Sequence, residues 1–284
     1  MMTELDNRNL YKLIPGVKAA DLNTMFALSI LERKANGRVF IDDVHSPGAC
    51  YIQHPCGMSL LYGESGKEKF YKQLADFMLN SDHVRDEFEF LQVYPNSLYV
   101  KIDEILGANL VKKDPEQPYE NSYSQEEDKK VLEYRRINYS FNKEKYLLIK
   151  RNLKTGDFKV ITTTEEIFHQ SDGSVIPKHF WNNYNEFINY GIGYTLLLDN
   201  RHPVSGAFAA FTCDDKLEIG IETHAENQNS GYASIVCSHL IDYCIANGLE
   251  PVWSCKSGNI GSRRLAEKLG FEESKRVPYY RLSR

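Results

Sequence analysis

Residues 216–271 read KLEIGIETHAENQNSGYASIVCSHLIDYCIANGLEPVWSCKSGNIGSRRLAEKLGF. The stretch opens as a strand over 217–223, with Glu218, Gly220 and Glu222 on one face by the period-two alternation of an extended chain. At Gly231 the period changes. Ile235, Val236, Leu240, Ile241, Cys244 and Ile245 form a broad apolar stripe that predicts a helix over Tyr232–Ala246, ended by Asn247-Gly248, a pair suited to the left-handed C-terminal turn. Residues 251–255 then read as a buried strand and 262–269 as a second helix, closed by Gly270 with Phe271 placed for the apolar contact of that cap.

Upstream, 194–198, 207–212 and 217–223 are three strands in succession, separated by short Asp-Asn-Arg-His-Pro and Cys-Asp-Asp turns, which implies antiparallel pairing. Residues 158–162 read as a strand, 164–169 as a short helix capped by Thr164, and 181–190 as a further helix. Downstream, a last strand runs over 277–282. An antiparallel start running into a β-α-β crossover predicts an α/β protein of the α+β kind: a mixed, mostly antiparallel sheet with flanking helices. A cleft is expected where the pairing changes.

Residues 111–130, VKKDPEQPYENSYSQEEDKK, are almost without aliphatics and read as a linker. The expected organisation is an N-terminal α/β unit over 1–125 and a second domain over 131–284. In the first, 39–41, 58–62 and 90–93 read as strands, and 67–79 as a helix with Phe70, Leu74, Phe77 and Met78 at helical spacing. Gly63-Glu-Ser-Gly-Lys67 lacks the spacing of a phosphate loop and reads as a turn before that helix.

The net charge of −5 provides no basic field, so neither nucleic acid nor an anionic membrane is an expected partner. Apolar runs are strand-sized and the N-terminus lacks the basic-then-apolar order of a secretory signal, so a cytoplasmic location is expected. The six cysteines form no CxxC pair and lie in apolar segments, which reads as buried free thiols; His54-Pro55-Cys56 lacks a spaced partner pair, and no metal is expected.

Gln228-Asn229-Ser230-Gly231-Tyr232-Ala233 places a small-residue turn at a helix N-terminus, where successive backbone N–H groups and the helix dipole favour a phosphate. Together with the preceding Glu218–Glu222 strand, the strand over 251–255, and Asn259-Ile-Gly-Ser262 followed by Leu265-Ala-Glu-Lys-Leu-Gly-Phe271, this turn resembles the core of GNAT acetyltransferases, with all four parts in order. Val175-Ile-Pro-Lys-His-Phe-Trp181, Gly191-Ile-Gly-Tyr194, Glu218-Ile-Gly-Ile-Glu-Thr223 and Pro251-Val-Trp-Ser-Cys255 are similar to the bacterial subgroup that includes the zwittermicin A resistance acetyltransferase. The resemblance covers 134–271 clearly and the N-terminal unit loosely, as a degenerate GNAT-like half.

The resemblance implies acetyl transfer from acetyl-coenzyme A to the primary amine of a small molecule, an antibiotic or a metabolite. It implies coenzyme contacts at Gln228, Asn229, Ser230, Gly231, Tyr232, Ala233, Asn259 and Ser262, and at the backbone of Ile221 and Thr223 beside the thioester. Glu222 and Glu218 are the candidate general bases, since an alkyl ammonium with a pKa near ~10.4 is neutral in only about one molecule in 10³ at pH 7. The tyrosine that many members carry before the Glu-Lys-Leu-Gly-Phe ending is replaced by Ala266; Tyr232, Tyr279, Tyr280 and Cys255 are the alternatives, core packing is the expected job of the tyrosines, and the general acid is unassigned. Ala266 and the absence of the common loop arginine leave room for a catalytically silent acyl-coenzyme A-binding regulator. The N-terminal unit leaves room for a tandem-GNAT aminoacyl or acyl transferase.

Overall fold

The computed structural model describes residues 2–83, 85–115, 117, 124–152 and 158–284. The chain divides into two compact units. One holds Met1–Ile137, Cys255–Ile260 and Lys275–Arg284; the other holds Asn138–Ser254 and Gly261–Ser274.

The first unit begins with strand β1 (Thr3–Glu4) and helices α1 (Ile14–Lys18) and α2 (Met25–Leu31). Every residue of α2 is buried, so its sequence shows no amphipathic period to read. Strands β2 (Arg38–Ile41), β3 (Ala49–Gln53) and β4 (Met58–Gly63) pair antiparallel in chain order. Helix α3 (Glu68–Met78) then leads to β5 (Phe90–Tyr94), which lies parallel to β4. Phe70, Leu74 and Met78 of α3 join Leu61, Leu91, Val93 and Ile102 in one apolar core. Helix α4 (Leu98–Leu106), strand β6 (Leu110–Lys112), helix α5 (Gln125–Asp128) and strand β7 (Val131–Phe141) follow.

Residues 111–130 are therefore not a linker throughout. β6 pairs parallel with β7, and α5 carries a capping box in which Ser124 Oγ accepts from the Glu127 N–H at 3.2 Å while the Glu127 carboxylate accepts from the Ser124 N–H at 3.1 Å. Residues 116 and 118–123 of the stretch lie outside the described residues. Charges that read as solvated chain instead make internal partners. Asp128 holds the fully buried Arg281 guanidinium at 2.9 Å.

In the second unit, helix α6 (Lys143–Lys150) precedes β8 (Lys159–Thr162), α7 (Glu165–Gln170) and α8 (Tyr184–Tyr190). α8 starts three residues later than the periodicity predicts, because Asn183 caps it, accepting from the Glu186 N–H at 2.9 Å, and Trp181 turns inward to donate its indole N–H to the Ala209 carbonyl at 2.7 Å. Strands β9 (Gly193–Leu198), β10 (His202–Cys213) and β11 (Lys216–Thr223) pair antiparallel, with β8 beyond β9. β10 is longer than expected because the turn before it takes only the three residues 199–201, with Asp199 and Asn200 left-handed, and the strand starts at His202.

Helix α9 (Tyr232–Ala246) packs on β9, β10 and β11, and ends where the Leu249 N–H donates to the Cys244 carbonyl at 2.8 Å around the left-handed Gly248. Strand β12 (Glu250–Lys256), parallel to β11, leads to α10 (Ile260–Lys268) and β13 (Phe271–Arg281). Phe271 packs on Trp253 and Phe141, with ring centroids 5.5 and 5.0 Å away. The second unit is thus the mixed, mostly antiparallel α/β sheet that the sequence predicts. β13 starts six residues earlier than predicted, and its last residues, which belong to the first unit, pair there with β5.

All six cysteines are free thiols, and Cys56 alone among them is not fully buried. Among the described residues, no helix is long and apolar enough to cross a membrane.

Candidate active site

β11 and β12 pair over three residues only, Lys216↔Glu250 to Glu218↔Val252. Residues 219–223 extend beyond that ladder while staying paired to β10, up to Thr223↔Ser205. The His224 N–H donates to the Val204 carbonyl at 3.0 Å, so by alternation the N–H groups of Gly220 and Glu222 also face β10. Those of Ile221 and Thr223 face the opposite edge, on the side of β12 and past the end of the ladder.

The strand then turns through residues 225–227 into α9. Gln228 bonds back to the Thr223 carbonyl at 3.4 Å, and Asn229 is left-handed, at φ +62°. Gly231 is the N-cap of α9 with φ +85°, and a Cβ placed on it would meet nothing within 4 Å. It is therefore a glycine for its backbone and not for lack of room. Its carbonyl accepts from the Ser234 N–H at 3.0 Å, but no side chain caps the helix, and the N–H groups of Tyr232 and Ala233 have no partner among the described residues. Unpartnered N–H groups at the start of a four-turn helix are an anion-binding arrangement. Ser230 is exposed in this loop, and the half-buried Tyr232 packs its ring against Phe158 at 5.1 Å.

The two glutamates of β11 have different surroundings. Glu218 is 4% exposed, and its Oε1 accepts from Ser254 Oγ at 2.6 Å. Glu222 is half-buried, and its Oε2 accepts from the backbone N–H groups of Ser174 (3.0 Å) and Val175 (2.9 Å) and from Ser174 Oγ (3.3 Å). Its Oε1 has no hydrogen-bond partner among the described residues. The Phe208 ring lies over Gly220 between the two, so close that a Cβ on Gly220 would be 2.5 Å from it.

Glu222 lines a cleft of about 420 Å³, open solvent at its mouth included, with Val175, Ile176, Pro177 and Phe208 as apolar walls. Glu218 does not line it. The base of the cleft includes the buried Thr163 and Thr195, whose hydroxyls are 3.0 Å apart. The sequence gives no signal for these threonines or for the Ser174–Val175 backbone. They come from separate segments, brought to Glu222 by the sheet register.

Asn259 and Ser262 flank the start of α10. Asn259 is exposed and donates its backbone N–H to the Lys256 carbonyl at 2.9 Å; Ser262 Oγ accepts the Trp253 indole N–H at 3.1 Å. Ala266 is fully buried. Of the residues considered as acids, Tyr280 is fully buried, which pushes its phenol well above the usual range, and Tyr279 stacks on Phe90 at 5.1 Å, both in the first unit. His54 accepts from the Cys56 N–H at 3.0 Å, and burial depresses its imidazole to about 3.

A mixed sheet that opens between two parallel strands, beside an uncapped helix start, is the frame of an acyl-coenzyme A-dependent transferase, and the GNAT acetyltransferase family model matches residues 18–280. The chain belongs to the GNAT acetyltransferase family and is an acyltransferase. The match takes in most of the first unit, well beyond the region of clear resemblance in the sequence. The chain is 27% identical over 251 residues to an uncharacterized N-acetyltransferase, YdfB, of Bacillus subtilis (strain 168), covering 87% of this chain and 86% of the relative. In fold it is similar to a GCN5-related N-acetyltransferase-like protein from Streptococcus suis (TM-score 0.68, 17% identity, 98% and 100% of the two chains covered). It is also similar to a tandem GNAT protein from the clavulanic acid biosynthesis pathway (TM-score 0.61, 8% identity, 99% and 97% covered).

Proposed function

We propose that the protein transfers the acetyl group of acetyl-coenzyme A to the primary amine of a small molecule. The observation that carries this reading is the opening of β11 from β12 after Glu218↔Val252, with Glu222 at its far end in a cleft and the uncapped start of α9 beside it. The pyrophosphate would lie against the N–H groups of Tyr232 and Ala233, in the loop from Gln228 to Gly231. Asn259 and Ser262 would make further coenzyme contacts. The thioester carbonyl would accept from the N–H of Ile221 or Thr223 at the free edge of β11, where the negative charge of the tetrahedral intermediate develops.

Glu222 is the proposed general base. Three hydrogen bonds to one carboxylate oxygen fix its orientation and leave the other oxygen to take a proton from the acceptor ammonium. The neutral amine attacks the carbonyl carbon and the C–N bond forms; the nitrogen, now positively charged, gives its extra proton to solvent, and collapse of the intermediate breaks the C–S bond to leave the amide. A thiol resembling cysteine, with a pKa near ~8.5, leaves as thiolate at little cost near neutral pH and is protonated by solvent. No phenol is needed for this step, which is compatible with Ala266. We assign Glu218 a structural role, because it is buried behind Phe208 with Ser254 as its partner.

The similarity of residues 175–181 and 191–194 to the zwittermicin A resistance acetyltransferase supports a small amine as acceptor. We further propose that the first unit is a second copy of the same frame without a coenzyme site, since β2, β3, β4, α3 and β5 repeat the order of β9, β10, β11, α9 and β12. Release of free thiol from acetyl-coenzyme A across a panel of amines tests the transfer. Acetylated product matching the thiol released is expected for at least one amine; coenzyme binding without transfer to any amine would favour a silent binding protein.

A further inference from the structure

The cleft beside Glu222 has a one-sided chemistry. Its walls are the apolar side chains of Val175, Ile176, Pro177 and Phe208, and two carboxylates, Glu222 and the exposed Asp172, line it. Among the described residues lining it there is no lysine or arginine, and His224 is exposed. An ammonium entering such a space is drawn toward the carboxylates while its body replaces water along apolar walls. A carboxylate or phosphate attached near the same nitrogen would be carried up against Glu222 and Asp172 with no guanidinium or ammonium to receive it, a repulsion that water screens poorly inside a cleft. Charge selection of this sort works against the wrong partner as much as for the right one.

Gly206 also lines the space. Gly206 lies opposite Glu222 in the ladder on one side and opposite Thr195 on the other. A Cβ on Gly206 would meet nothing nearer than 3.9 Å. A side chain there is sterically admissible and would occupy the cleft, so its absence keeps room for an acceptor.

We infer that the acceptor is a primary amine with a compact apolar body and no carboxylate or phosphate beside the nitrogen. This rests on the acetyl transfer proposed above. Asp172 and Gly206 act as specificity residues: Asp172 selects charge and Gly206 admits the body.

The test uses the full-length protein with acetyl-coenzyme A and matched pairs of acceptors, 2-phenylethylamine against phenylalanine and tyramine against tyrosine, which differ only in the carboxylate. The expected kcat/KM is at least 100-fold higher for each amine than for its amino acid. Asp172→Arg should lower that ratio at least 10-fold, mainly through KM. Gly206→Val should reduce kcat/KM for the amines at least 10-fold while acetyl-coenzyme A affinity, measured by calorimetry, stays within twofold. Amino acids used as well as their amines, or a ratio unmoved by Asp172→Arg, would overturn the inference. Transfer to other amines but to neither member of these pairs would overturn it while leaving the proposed activity intact. No transfer to any amine, with no binding of acetyl-coenzyme A, would sink both.

Discussion

Each unit runs three antiparallel strands into a helix and from there into a parallel strand, yet the two frames end differently. In the first, β4 and β5 stay paired over five residues, to Tyr62↔Tyr94, whose rings stack at 5.9 Å. In the second, β11 leaves β12 after three pairs and continues for five residues. The turn before α3 is filled by its own chain. Lys67 donates to Ser65 Oγ from its backbone at 3.2 Å, and its ammonium meets Asp43 at 2.5 Å. Among the described residues, the turn before α9 carries no charged side chain bonded across it, and its N-cap is the left-handed Gly231. One buried carboxylate of the first unit is fully engaged by its neighbours: Glu89 accepts from Tyr51, from Gln53 at 2.7 Å and from Arg85 at 3.2 Å. Glu222 keeps one oxygen without a partner among the described residues. No side chain caps either helix, so the difference lies in the ladder and the turn: β11 runs on past β12 into a left-handed Gly231, whereas β4 stays paired with β5 and Lys67 before α3 is extended.

The largest expected effect breaks the comparison at the α9 turn. Calorimetry should find one acetyl-coenzyme A per chain, and Gly231→Asp should abolish binding by adding a charged side chain where the pyrophosphate is expected. At about 100 times Kd, the coenzyme should stabilise the wild type by about 2.7 kcal/mol and the variant not at all, read as the shift in melting temperature within each protein. Two equivalent sites would mean that the first unit binds coenzyme too.

Next in size is the contrast between the two glutamates of β11. Glu222→Gln should lower turnover by about 10²-fold near pH 7 with coenzyme affinity nearly intact, and the deficit should shrink toward pH 9.5 as the amine deprotonates unaided. Glu218→Gln should keep the wild-type pH profile and lose about 1–2 kcal/mol of stability through its weakened bond to Ser254. Wild-type turnover of Glu222→Gln at pH 6.5 would remove it as the base, and the pH pattern appearing in Glu218→Gln would transfer the role.

The smallest effect belongs to the first unit. Burial holds the His54 imidazole at about 3, below its unfolded value near ~6.5, so the unfolded chain takes the proton first. The stability this confers is complete above about pH 6.5 and is lost as pH falls toward 3; between pH 7.5 and 5.5 the loss is about 1.4 kcal/mol. His54→Gln should therefore show a smaller acid-induced fall in melting temperature than the wild type, with its coenzyme-dependent shift unchanged. An identical fall in both proteins would count against the assignment.

Much of the second unit was legible because its signals are local. Period-two strands at 194–198 and 217–223, the apolar stripe of α9 and the glycines at 231, 248 and 270 depend on side-chain alternation and on backbone angles that few residues adopt, and both are written in adjacent letters. α2, β3 and β7 escaped notice for the opposite reason. α2 and β3 are almost wholly buried, and β7 hides Glu133 and Arg136 within a strand, so their patterns are set by neighbours far along the chain. The sequence by itself thus determined the strand-turn-helix frame, the glycine at its turn and the two glutamates on one face. Only the tertiary structure gives the two different surroundings, because a cleft is assembled from segments near 163, 175, 195, 206 and 222 by sheet register. Which carboxylate is buried and which is left partly open depends on what that register stacks against it.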